Sequence, residues 1–425
     1  DNPKKYNKQQ DWPSDVDIWH RNRLMEAQEA LSQVEGVTIL IHDQECAAEL
    51  RRKRKHGLAP DPAQRVMINE AVCEGCGDCG SKSNCLSVVP VETEFGRKTQ
   101  IHQASCNKDF SCLQGDCPAF VTVIPEKDTL PHTVAFDSEI PLPEPTFARP
   151  NEYNIFMVGI GGTGVVTVNQ ILATAALIDG LFVRGLDQTG LSQKGGPVVS
   201  NLRLFSQITN ATNKVPNSTA DCYLVYDLLS GADFSNLTRT NSQRTTAIVS
   251  TSAIATGSMV SSASIRFPKE SKLIEEINNN TCSDENFYFD ATGLSEILFG
   301  SHMQTNLITV GAAYQSGQVP ISSKAIERAI MLNGVSVKKN IAAFRAGRRA
   351  VCNPEWYDTL EWTRSGEIKE SALLSKEAQQ LVDDTGATGE LKRLLEVRVP
   401  ELIEYQNIAY ARAYVEFVTA VKDQE

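Results

Sequence analysis

Seven of the chain's eleven cysteines fall between Cys73 and Cys117, and that bunching limits what the segment around them can become. A disulfide framework spreads its cysteines along a secreted chain. A bunch of this kind, with no signal-peptide core before it, reads as metal ligation in a reducing compartment. The order is Cys73, Cys76 and Cys79 at successive two-residue spacings, then Cys85, then Cys106, Cys112 and Cys117, the last followed by Pro118.

Three cysteines at that spacing wrap one face of a cubane iron–sulfur cluster, and a fourth just before a proline crosses from the other half. The first cluster is therefore assigned to Cys73, Cys76, Cys79 and Cys117. In the second half Asp109 stands where a middle cysteine would be. A carboxylate is harder than a thiolate but still binds iron. A second cluster is assigned to Cys85, Cys106, Asp109 and Cys112, and an exchangeable Asp corner allows a three-iron form. A short strand, Val66 to Ile68, precedes the first cysteines, and Thr99 to Gln103 precedes Cys106. The apolar stretches LSVVPV and AFVTV after Cys85 and Cys117 read as short helices. The two-fold plan resembles bacterial ferredoxins. Two alternatives stay open. One is a zinc ribbon, against which the triple spacing argues. The other is a single cluster, with Cys85, Cys106 and Cys112 as structural thiols.

The net charge of -11 disfavours phosphate-driven nucleic-acid binding, and no apolar run is long enough to span a bilayer. The basic run Arg51 to Lys55 reads as a solvated helix face or as a docking patch for an acidic partner such as ferredoxin. Before the cysteines the pattern predicts a helix around Ile18 to Leu31, a strand at Val37 to His42 and a charged helix from Ala47 to Lys55. Cys46 is given a structural, buried role. The stretch from Pro131 to Pro150 is proline-rich and reads as a linker of limited flexibility.

From Tyr153 short apolar runs alternate with helical segments. The predicted strands are Tyr153–Val158, Leu181–Arg184, Val198–Phe205, Cys222–Tyr226, Thr246–Ser250 and Phe287–Asp290. Runs of this kind suit strands buried on both faces, hence a doubly wound, mainly parallel sheet. One long helical pattern runs from Ser322 to Arg349. The end of the chain is helical and amphipathic, with its best segment at Val397 to Val421.

Residues 158–166 read VGIGGTGVV. Gly159, Gly161 and Gly164, with Gly162 between them, match the glycine pattern of a dinucleotide-binding turn. The acid that should hold a ribose is misplaced, since Asp187 comes late, so a packing turn or another phosphate-bearing ligand is preferred. The loop Asp187 to Leu204 adds Gln188, Ser192, Gln193, Lys194, Gly195 and Gly196. Polar loops at the carboxyl ends of strands are where ligands dock in open α/β sheets, and the other reading is a solvated loop.

The turn VGIGGTGVV, the loop TGLSQKGGPVVSNLRL and the helix AIERAIMLNGVSVKKNIAAFRAGR resemble the gamma domain of 2-oxoacid:ferredoxin oxidoreductases. The cysteine block resembles the ferredoxin segment of the long, fused indolepyruvate ferredoxin oxidoreductases. VTILIHDQECAAELRRKRK resembles the end of that family's thiamine-diphosphate-binding domain, and EYQNIAYARAYVEFV the start of its C-terminal domain. The resemblance implies five parts: 1–64, the end of the thiamine domain; 65–130, a ferredoxin-type 4Fe-4S domain; 131–150, a linker; 151–350, the gamma domain; and 351–425, a helical start of the C-terminal domain. It implies oxidative decarboxylation of an arylpyruvate such as indolepyruvate to acyl-CoA, with electrons passing through one or two 4Fe-4S clusters to ferredoxin. Thiamine diphosphate and Mg would sit on a part preceding this chain, in the same polypeptide or a partner subunit, within a cytoplasmic homo-oligomer. Coenzyme A is the cosubstrate, and this chain alone is expected to be catalytically incomplete. Two other functions remain: an NAD- or flavin-dependent oxidoreductase with an appended ferredoxin domain, and a non-catalytic electron carrier.

Overall fold

The computed structural model describes residues 3–6, 12–13, 16–93, 95–126, 133–147, 151–190, 196–360 and 374–422. They group into two compact units, Asp1–Pro90 with Arg97–Trp362, and Val91–Gly96 with Thr363–Glu425.

In the first unit, helix α1 (Leu24–Ser32) follows a 3-10 turn at Arg21–Arg23, so the expected helix starts later than Ile18. Helix α2 (Ala47–Lys55) forms as predicted. The strand expected at Val37 to His42 does not form, and Val37 and Ile39 are 96% and 78% exposed. A strand is stable only with a partner for its backbone groups, and none of the described residues pairs with this stretch. Cys46 is exposed, against the buried role expected of it.

The cysteine block runs β1 (Arg65–Ile68), α3 (Asp78–Ser83), β2 (Val88–Thr93), β3 (Gly96–Ile101), a 3-10 turn (Ser111–Gln114) and β4 (Phe120–Val123). β1 pairs antiparallel with β4, from Arg65 opposite Val123 to Ile68 opposite Phe120, and β2 pairs with β3. LSVVPV and AFVTV, read as helices, are strands instead. They are too short to nucleate a helix, they are rich in β-branched residues, and each finds a partner strand. The helical turns lie one step earlier, among the cysteines.

The α/β portion contains β5 (Glu152–Ile160), α4 (Val165–Ile178), β6 (Phe182–Thr189), β7 (Pro197–Phe205), β8 (Cys222–Val225), α5 (Leu228–Gly231), α6 (Phe234–Leu237), β9 (Thr246–Ser250), α7 (Gly257–Ser261), α8 (Glu270–Asn279) and β10 (Phe287–Phe289). After them come α9 (Ala291–Phe299), α10 (Thr305–Gln315), α11 (Ser323–Asn333), α12 (Val337–Cys352) and α13 (Pro354–Asp358). The six strands form one mainly parallel sheet in the order β10-β9-β8-β5-β7-β6. Only β7 runs against the others, antiparallel to both β5 and β6. Seven residues separate β6 from β7, enough for a hairpin but too few for the crossover that a parallel pair needs. Alternate side chains feed two cores. Ile155, Met157, Leu202 and Leu224 face one side, with Leu172, Ile308 and Phe344 packed against them. Phe156, Val158, Tyr223 and Val249 face the other, with Leu228 and Ile277.

The helical pattern from Ser322 splits into α11 and α12 because Gly334 (φ +75°) and Ser336 (φ +45°) leave helical space. α10 and α12 cross almost backbone to backbone. A Cβ on Gly311 would fall 2.0 Å from the Phe344 carbonyl oxygen, and one on Gly347 would fall 1.8 Å from that of Ile308. Residues 133–147, read as a linker, lie along these helices. Phe147 packs on Tyr314 with ring centroids 5.4 Å apart, and Pro143 O accepts from Gln315 and Arg348.

The second unit holds α14 (Lys376–Asp383), α15 (Gly389–Tyr405) and α16 (Ile408–Lys422) around Leu381, Val382, Leu395, Val399 and Val415. The predicted segment Val397 to Val421 is interrupted between Tyr405 and Ile408. Among the described residues no helix is long and apolar enough to cross a membrane.

Candidate metal centres

All seven cysteines of the block are free thiols. Burial pushes the Cys79 thiol up, opposed by the Gly80 N–H, and the nearby Cys73, Cys76 and Cys117 push it further. Cys112 is pushed up to about 12, first by burial and then by Cys85, Cys106 and Asp109. Cys79 thus lies near Cys73, Cys76 and Cys117, and Cys112 near Cys85, Cys106 and Asp109. Cys73 is buried, Cys76 is exposed and the rest are half-buried.

The two loops share a backbone trace. Gly75 (φ +67°) and Gly77 (φ +80°) sit two and four residues past Cys73. Lys108 (φ +53°) and Phe110 (φ +59°) sit two and four past Cys106. The N–H of Gly75 donates to Cys73 Sγ and that of Lys108 to Cys106 Sγ, both at 3.4 Å. In this frame Asp109 occupies the place of Cys76, and both are exposed. Asp109 Oδ1 accepts from the Ser111 N–H (3.3 Å) and hydroxyl (3.1 Å), which also makes it a turn cap. A cubane is wider than a single ion, so its thiolates stand further apart than those of a mononuclear site. Among the described residues no three of the cysteine and Asp109 ligand atoms lie within 4.8 Å of one another; the donors present are thiols, with N–H groups turned toward Cys73 and Cys106.

Helix α2 has a different role from a free basic face. Arg54 donates to the carbonyls of Asn107 (2.7 Å) and Lys108 (3.3 Å), and Arg51 to that of Ala104. Arg52 pairs with Glu49, and Lys53 with Glu45. The helix therefore grips the second cysteine loop.

The block docks on the α/β portion through Arg97, whose guanidinium donates to the carbonyls of Ala263 (2.9 Å), Ile265 (2.8 Å) and Met259. Gly80 permits this approach, since a Cβ there would lie 2.1 Å from the Val260 carbonyl oxygen. Nearby, His102, Glu296 and His302 bring one ligand atom each to within 4.8 Å of the other two, a His/Glu cluster consistent with a metal-binding site. The sequence reading missed this cluster. His102 and Glu296 are 194 positions apart in the chain, and no local spacing announces the set.

The glycine turn lies between β5 and α4. Gly159 is in β5, Gly161 N–H donates to Gly196 O at 2.7 Å, and Gly162 (φ +87°) and Gly164 (φ +99°) need the left-handed region that glycine enters freely. A Cβ on Gly159 would meet Val165 and Tyr226, so this glycine serves close helix packing. Gln188 is exposed at the end of β6. Ser192, Gln193, Lys194 and Gly195 lie outside the described residues. Asp187 accepts from Asn169 Nδ2 (2.7 Å) and Ser200 Oγ (2.5 Å), which occupies the acid that a nucleotide ribose would need.

Residues 154–350 match the family described as pyruvate ferredoxin/flavodoxin oxidoreductase, a span that leaves out the cysteine block. The chain is 28% identical over 201 residues to indolepyruvate oxidoreductase subunit IorB of Pyrococcus horikoshii, covering 47% of this chain and 96% of that protein. It is 27% identical over 207 residues to the subunit of the same name from Thermococcus kodakarensis, with 47% and 96% covered. Among solved structures, the gamma subunit of a keto/oxoacid ferredoxin oxidoreductase from Geobacter sulfurreducens aligns at 19% identity and TM-score 0.33, over 47% of this chain and 98% of that one. Through residues 154–350, a little under half its length, this chain is related to the 2-oxoacid:ferredoxin oxidoreductases.

Proposed function

We propose that this chain is the electron-transfer and gamma-domain portion of an enzyme that oxidatively decarboxylates 2-oxoacids, arylpyruvates such as indolepyruvate, to acyl-CoA and delivers the electrons to ferredoxin. The observation that carries the reading is the repeated cysteine loop, with its N–H groups turned to sulfur, joined in one chain to the related α/β segment. The relatives named for indolepyruvate support the substrate class.

Cys73, Cys76, Cys79 and Cys117 would hold one 4Fe-4S cluster, and Cys85, Cys106, Asp109 and Cys112 a second. Such clusters supply one-electron storage when bound. The chain's own residues bind and orient. Gly75 and Lys108 turn N–H groups to sulfur, which favours the thiolate charge. Exposed Cys76 and Asp109 leave an edge open to an electron partner, which we take to be ferredoxin. Thiamine diphosphate, Mg and the decarboxylation belong to a part outside this chain, with coenzyme A as cosubstrate and a homo-oligomer as the full assembly. We retain the five-part division 1–64, 65–130, 131–150, 151–350 and 351–425, and a reducing, cytoplasmic setting.

Anaerobic reconstitution followed by iron and sulfide counting and EPR tests the reading. A brown protein with about eight iron per chain is expected from two cubanes. Combined with the thiamine-bearing part, an arylpyruvate and coenzyme A, it should bleach as the clusters reduce. A colourless protein with zinc on the cysteines, or clusters that stay oxidised in the combined system, overturns it.

A further inference from the structure

We propose that His102, Glu296 and His302 bind one divalent transition-metal ion of the zinc type, and that this ion pins the cysteine block to the α/β portion. The site uses none of the cysteines; its test rests on cysteines filled by iron and sulfide, so the iron count reports on that reading and the zinc count on this one.

The three residues come from separate supports. His102 follows β3, Glu296 lies on α9, and His302 opens the 3-10 turn His302–Gln304 just after it. His102 Nε2 stands 2.7 Å from Glu296 Oε1, and the two imidazole centroids are 5.5 Å apart with the rings tilted by 50°. Ligands about 2.0–2.2 Å from a tetrahedral ion lie roughly 3.3–3.6 Å from one another. Opening the His102–Glu296 contact by roughly 1 Å therefore admits an ion, within small side-chain rotations. A hydrogen bond between His102 and Glu296 needs no second imidazole. The convergence of His302 on the same point is what a metal set requires.

Outer contacts hold the set in place. His102 Nδ1 is 2.9 Å from Ser105 Oγ, which is 2.9 Å from Ser87 Oγ. A hydrogen bond on the remote ring nitrogen is the usual device that fixes a metal-binding imidazole and leaves Nε2 for the ion. On the other side, Gly300 (φ +65°) and the Ser295 hydroxyl, which donates to Ser301 O at 2.5 Å, shape the turn between Glu296 and His302. Two imidazoles and a carboxylate suit zinc, with the fourth position left to water. The side chains of His102 and Glu296 are 32% and 38% exposed, so water reaches the site.

The test uses the full chain with its cysteines already loaded with iron and sulfide, dialysed against zinc, then counted for metal. One zinc per chain is expected. His302→Ala and Glu296→Gln should each cut retention at least ~tenfold while iron and sulfide stay unchanged. Glu296→Gln still offers His102 an acceptor, so it separates metal binding from the hydrogen bond. Cobalt in place of zinc identifies the donors. With the clusters oxidised and diamagnetic, a high-spin cobalt EPR signal that His302→Ala abolishes supports the His/Glu site. A cobalt signal unchanged in His302→Ala, no retained metal, or equal retention by parent and variants overturns the proposal.

Discussion

Gly75 and Lys108 stand at the same place in two successive loops. Each is two residues past its loop's first cysteine, each holds a positive φ (+67° and +53°), and each points its N–H at that cysteine's sulfur from 3.4 Å. Glycine enters this region freely, whereas lysine does so against steric strain. The fold keeps the trace anyway, so the trace itself matters to the second loop.

That repetition bears on Asp109. Asp109→Cys should keep the iron count and shift one reduction potential, because thiolate replaces carboxylate at the same corner. Asp109→Ala should lower iron in air-exposed samples as the open corner sheds an atom. Unchanged iron and unchanged potentials in Asp109→Ala would show that Asp109 is only the cap of its turn.

In the first loop, Gly75→Ala puts a Cβ 2.0 Å from the Arg97 carbonyl oxygen, at a φ that L-residues rarely adopt. We expect a loss of about 1–3 kcal/mol in denaturant unfolding and a failure to load the first cluster, with the second still seen by EPR.

Arg54→Ala removes the donors to Asn107 O and Lys108 O. The cost should be about 1.5–3 kcal/mol, the range for hydrogen bonds from a charged group. Its signature is selective, with the EPR signal of the second cluster broadened or lost and that of the first kept. If both signals respond equally, the helix does not act through this loop.

Glu144 ties residues 133–147 to Tyr314, Ser323 (3.0 Å) and Arg348 (3.1 Å). Burial raises its pKa, but the Tyr314 hydroxyl and Arg348 outweigh that and hold the carboxyl below its ordinary value. A lowered carboxylate contributes stability above the unfolded-state pKa and loses it as pH falls through the folded value. Glu144→Gln should therefore cost about 0.5–1 kcal/mol at pH 7, the modest amount proper to an exposed pair. The gap from the parent Tm should close on acidification below about pH 4. A gap independent of pH would remove the charge from the explanation.

Gly347→Ala tests the α10–α12 crossing. Its Cβ would fall 1.8 Å from Ile308 O, and the expected loss is about 3 kcal/mol or more, readable as a lower urea midpoint. Gly334→Ala, at a helix end with open space around it, should cost about 1 kcal/mol through its φ alone.

What the sequence determined by itself were the features that depend on neighbours along the chain. The cysteine spacing marked the two similar loops that begin at Cys73 and Cys106, because each loop's backbone trace is set by residues a few positions apart. All six strands of the main sheet were legible from their apolar runs, most plainly β5, β8 and β9, since a strand buried on both faces has to be apolar along its length. Tertiary structure decided what depends on residues distant in the chain. It turned LSVVPV and AFVTV into strands by giving them partners, and it left Val37 to His42 without one. It reversed β7, drew Asp187 into hydrogen bonds with Asn169 and Ser200, and laid Arg51 and Arg54 on the second cysteine loop. It also brought His102 to Glu296 across the interface. Pairings of this kind form only when the whole chain closes on itself, and the closure is driven by burial spread over many residues, which no short stretch of sequence encodes.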